Sequence, residues 1–93
     1  MIDLLRTVAA AGDVVGTWSI VREPEKVLAV SALSRLDYED EATAMQVAGL
    51  LAPRLVPLSY TLVRPPELRA QRAEAPGTRE HWRSEVRLEL HAG

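Results

Sequence analysis

Five serines, two histidines and one knot of acids are the side chains of this sequence with the most chemistry to offer, and their spacing scatters them. His81 and His91 lie ten positions apart in a single alternating segment. A strand advances about 3.3 Å per residue, so on one straight strand the two imidazoles are roughly 30 Å apart and share neither a metal nor a proton. Asp37, Glu39, Asp40 and Glu41 bunch together as a hard cation requires. They lack the interleaved spacing and turn glycine of a calcium loop, and the positive end of a helix accounts for each of them. Ser19, Ser31, Ser34, Ser59 and Ser84 have no nucleophile-elbow glycines around them and few histidines to pair with. Neither of the glycine-rich phosphate-binding patterns occurs. The reading is a chain with no catalytic residue, no metal ligands and no cofactor, and so not an enzyme.

One pattern stands above this background. In HWRSEVRLELH, Arg83, Glu85, Arg87 and Glu89 alternate in sign along one face. Such a face either pairs its charges across neighbouring strands in water or meets, or lines a channel with, other subunits. The residues alone leave both open.

The elements that position these side chains follow from length and patterning. Ninety-three residues form one domain, 1–93, with a small core. The balance of 47% hydrophobic and 26% charged residues matches a folded chain, not a disordered one. With no cysteine there is no disulfide frame, thiolate zinc site or iron–sulfur cluster. No apolar run reaches the ~18 residues of a transmembrane helix, and MIDLLRTVAAAGDVV is a poor signal peptide, so no membrane association is expected. A net charge of −2 argues against tight binding of duplex DNA by the monomer. Ten of the eleven basic residues are Arg, the exception being Lys26, and Arg suits interface ion pairs better than Lys. A GC-rich genome explains the same bias.

Residues 2–11 read as a short helix with Asp3 in its first turn and Gly12 as its stop. Residues 14–22 read as a strand with Val14, Trp18 and Ile20 on one face and Gly16 marking a bulge or a close backbone approach. Residues 26–34 suit a central strand covered on both faces, with a helix starting near Pro24 as the alternative. The spacing predicts a helix over 38–52, capped by Asp37 and closed by Pro53. Its inner stripe is Ala44, Val47, Ala48 and Leu51, and a second smooth stripe is Ala42, Met45 and Gly49. Residues 58–63 alternate as a strand with Leu58, Tyr60 and Leu62 on one face. The segment 65–79 reads as a proline-bounded connection in which ELRAQRAE orders at most as a helical turn or two. The last strand turns Trp82, Ser84, Val86, Leu88 and Leu90 inward.

The expected fold is therefore α+β: an about four-stranded, mostly antiparallel sheet with two helices packed on it, in the order α-β-β-α-β-β. Two unsatisfied surfaces remain. Ala42, Met45 and Gly49 on the helix, and Arg83, Glu85, Arg87 and Glu89 on the last strand, form the candidate self-association surface, and a homo-oligomer is expected.

The short N-terminal helix, the strand running into an acidic-started helix (VLAVSALSRLDYEDEATAMQVAGLLAPRL) and the final Trp-containing strand (HWRSEVRLEL) together resemble the tail-terminator and tail-completion, or neck, proteins of long-tailed bacteriophages. This chain is short for that family, and its loop between the last two strands is unusually rich in proline. The resemblance implies a viral structural protein, a ring subunit at the head–tail junction with tail-tube and neck proteins as partners, located in the virion. It transfers no catalytic residue. The alternative from another class is a small cytoplasmic regulatory or ligand-binding α+β module, with its ligand between sheet and helices.

Overall fold

The computed structural model describes Thr7 and residues 15–22, 27–73 and 80–92. Thr7 has helical backbone; the rest of the helix expected at 2–11 lies outside the described residues. The described elements are β1 (Val15–Arg22), β2 (Val27–Ser34), α1 (Glu41–Leu51), a 3-10 turn (Ala52–Leu55), β3 (Tyr60–Leu62), β4 (Glu67–Ala73) and β5 (His81–Ala92). They correct the expected α-β-β-α-β-β order. Among the described residues the sheet has five strands, all in antiparallel pairs, and one complete helix covers it.

β5 is the axis of the sheet. One of its edges pairs with β2, from Val27↔His91 to Leu33↔Glu85. Its other edge is shared end to end, with β3 opposite Leu90–Ala92 and β4 opposite His81–Arg87. β1 pairs with the far side of β2. The expected bulge at Gly16 is present, because the register shifts between Val15 and Thr17. A Cβ at Gly16 would stand 3.1 Å from the Arg35 Cα, so close backbone approach explains the missing side chain.

The strand alternative for 26–34 is the correct one, but only half of its expected cover exists. Leu28, Val30, Ala32 and Ser34 are buried, while Val27, Ala29, Ser31 and Leu33 on the opposite face remain half-exposed. The helix lies over one face alone. Its Ala44, Ala48 and Leu51 are buried, and Val47 is half-buried, as the inner stripe requires. They complete a core with Leu55, Val86, Leu88 and Leu90.

The helix begins three residues later than its acidic prelude suggests. Tyr38 and Trp82 exchange two backbone hydrogen bonds of 2.7 Å, which holds residue 38 extended beside β5. The Asp37 carboxylate accepts from Arg83 Nε at 2.6 Å and is not a cap. Asp40 takes that role, accepting from the Thr43 amide at 2.9 Å. Asp40→Ala is therefore expected to cost about 1 kcal/mol, and Asp37→Ala less, in the range of about 0.2–1 kcal/mol of an exposed ion pair. Urea unfolding midpoints of the two variants check the order. Pro53 does not close the helix at once; it sits in the 3-10 turn that carries the buried Leu55.

Two further expectations fail. Leu58 lies outside β3 and is 100% exposed, so the strand expected over 58–63 is only the three residues Tyr60–Leu62. ELRAQRA is neither loop nor helix but the strand β4. Pro65 and Pro66 hold the chain extended just before it. Beyond them, Glu67 meets Arg87 and Arg69 meets Glu85 in the ladder. Opposite charges in register against β5 outweigh the helix propensity of the segment.

Candidate functional site

The two halves of the candidate surface fall on opposite sides of the sheet. Ser84 Oγ donates to the Ala44 carbonyl at 2.6 Å, which places the even-numbered residues of β5 on the helix side. Arg83, Glu85, Arg87 and Glu89 therefore occupy the open side. Ala42, Met45 and Gly49 are exposed on α1. The two sets form no single patch.

On the open side the charges find partners within the chain. Arg83 binds Asp37, and Arg64 Nε lies 3.1 Å from Glu89 Oε2. Arg87 stands opposite Glu67 in the ladder and 3.8 Å from Glu85, while Glu85 stands opposite Arg69. Arg72 and Glu80 pair near the start of β5. Exposed pairs such as these stabilise by only about 0–1 kcal/mol each, but they leave few bare charges for another molecule to complement. Two shallow clefts cross this face. One, of about 230 Å³, lies among Ala29, Ser31, Arg64, Glu67, Arg87 and Glu89. The other, of about 260 Å³, lies beside Asp37, Gln71 and Arg83. Neither sits between sheet and helix, where the ligand-binding alternative expects its pocket.

On the helix, Leu50 is 75% exposed and Met45 is exposed, and Leu36 and Leu58, in the segments before and after the helix, are exposed as well. Gly49 presents bare backbone toward β4: a Cβ there would lie 3.7 Å from Leu68 Cδ1. Sequence reasoning found Ala42, Met45 and Gly49 but missed Leu50 and Leu36. Leu50 falls outside the inner stripe of Ala44, Val47, Ala48 and Leu51, and that was the available signal.

The remaining chemical candidates stay apart. His81 and His91 stand at opposite ends of β5. Ser34 and Ser84 are buried and bonded to each other: the Ser84 amide donates to Ser34 Oγ at 2.9 Å, and Ser34 Oγ donates to the Leu36 carbonyl at 2.9 Å. Among the described residues no three His, Asp or Glu side chains gather as metal ligands, and no helix is long and apolar enough to cross a membrane. Comparisons with protein-family models, curated proteins and solved structures find no match to the chain.

Proposed function

We propose that this protein is a non-enzymatic assembly subunit that works by binding copies of itself, of the kind that phage tail-terminator and neck rings represent. The observation that carries this reading is the exposure of large apolar side chains on α1 and in the segments before and after it. Met45 and Leu50 are exposed on the helix itself, with Leu36 before it and Leu58 after it. Single exposed leucines are ordinary on a protein surface, and it is their concentration on and near one helix that supports a protein contact here. Ala42 and Gly49 beside them let another backbone approach closely. The alternating Arg/Glu face supports the contact less, because its charges are matched inside the chain. A head–tail junction, with tail-tube and neck proteins as neighbours, is the setting that the resemblance supplies.

Light scattering at tens of micromolar tests the reading. The expected result is a closed species larger than the monomer, which Met45→Glu breaks down and Glu85→Arg leaves nearly intact. A strict monomer at every concentration overturns it. An oligomer that Glu85→Arg dissolves and Met45→Glu spares moves the contact to the open face.

A further inference from the structure

We propose that the cleft of about 230 Å³ on the open side of the sheet binds a small zwitterion, with α-amino acids as the class it fits. The open side is turned away from α1, so this binding is independent of self-association. The backbone makes the cleft. β3 and β4 follow the same edge of β5, with Leu62 opposite Leu90 and Glu67 opposite Arg87. Residues 63–66 therefore span what Leu88 and Glu89 alone span on β5. The Val63 amide still donates to the Glu89 carbonyl at 2.9 Å, so the surplus falls on Arg64, Pro65 and Pro66. Proline has no amide to give a ladder, and the stretch leaves the edge as a bulge, a device that re-aims side chains beside functional sites. Arg64 and Pro65 wall the cleft on that side. Its floor is the small Ala29 and Ser31 of β2, set beside the long Glu89 and Arg87 of β5.

One row across three strands sets the chemistry. Arg87 stands opposite Ser31 on one side and Glu67 on the other. A hydroxyl, a guanidinium and a carboxylate thus follow one another at the ~4.8 Å spacing of strands. Among the described residues, none of these three side chains makes a hydrogen bond, and the 3.8 Å from Arg87 to Glu85 is too long for one. Glu89, by contrast, is already tied to Arg64 at 3.1 Å. The cleft holds two arginines and two glutamates, so its charge is balanced and a ligand of one sign leaves the other unanswered. A carboxylate matches the fork of Arg87, with the Ser31 hydroxyl as a further donor. An ammonium on the adjacent carbon then faces Glu67. Ala29 and Pro65 leave an apolar corner for a small side chain.

Heteronuclear NMR of the isotope-labelled chain, titrated with each standard L-amino acid in turn, tests the site. The expected result is that at least one binds with a Kd of about 1 mM or below and moves the backbone amides of Ser31, Arg87 and Glu89. Arg87→Ala and Glu67→Gln change exposed side chains and keep the core, and each weakens that binding about tenfold or more, the worth of a hydrogen bond to a charged group. Arg69→Ala, one row along on the same face and outside the cleft, leaves it unchanged. Acetylating the amine of the same amino acid, or amidating its carboxylate, weakens binding about tenfold as well. No response to any amino acid at about 10 mM, far above that Kd, overturns the site. So does an acetylated form that binds as tightly as the free one, which would make the cleft a plain anion site. Shifts confined to α1 overturn it too, by placing the ligand on the other side of the sheet.

Discussion

Leu88→Ala is expected to lower stability by about 2–5 kcal/mol, the range for truncating a buried leucine, while Arg87→Ala changes it little. The two residues are neighbours in β5 and face opposite ways. Leu88 is buried in the core opposite Val30, and its truncation leaves a hole that the small neighbouring core residues Ala32 and Ala48 cannot refill. Arg87 is exposed, and its interactions with Glu67 and Glu85 are of the weak surface kind. Chemical denaturation of both variants, read as midpoints at equal slope, is the measurement. Equal midpoints would overturn the assignment of one buried and one exposed face to β5.

Ser34→Ala is the second large effect, at about 1–3 kcal/mol, the cost of leaving a buried donor unmet. The hydroxyl of Ser34 stands where the β2–β5 ladder stops: backbone pairing ends at Leu33↔Glu85, and the next amide of β5, Ser84 N–H, turns to the side-chain oxygen. Alanine there orphans that amide and frees the Leu36 carbonyl. Ser84→Ala should cost less, because its hydroxyl bonds the Ala44 carbonyl, which the helix ladder can itself satisfy. The comparison separates a ladder-completing serine from a decorative one. A Ser84→Ala effect larger than that of Ser34→Ala would reverse these roles.

Both expectations rest on β5, and β5 was legible in the sequence because its period of two is unbroken and its apolar residues are large. The same holds for β1 with its bulge, where a glycine interrupts a β-branched run, and for the inner stripe of α1. β4 was not legible. ELRAQRA is composed of good helix formers, and what makes it a strand is the backbone ladder offered by β5, with Leu68 packed against the core and Glu67 and Arg69 opposite Arg87 and Glu85, which no local window contains. The helix start was misplaced for a related reason. Asp37 and Asp40 are equivalent caps in sequence, and only the pairing of Tyr38 with Trp82 decides between them. Of the candidate surface, the residues on each element were readable. Their separation onto opposite faces required the register.

The placement of β5 has a consequence for how the chain reaches this structure. It is the last strand in chain order, yet β2, β3 and β4 all need it as a partner. β1 and β2 can close on each other as a hairpin. β3 and β4 have nothing to pair with until β5 arrives, and contacts such as Ser34 with Ser84 span fifty residues of chain. Loop closure over such distances precedes any reward from pairing, so folding should be slow for a domain of this size. A nascent chain still lacking β5 exposes the apolar face of β2 and the inner stripe of α1 at once. The interval before β5 emerges is when this protein is most open to aggregation, and when a chaperone would find most to hold.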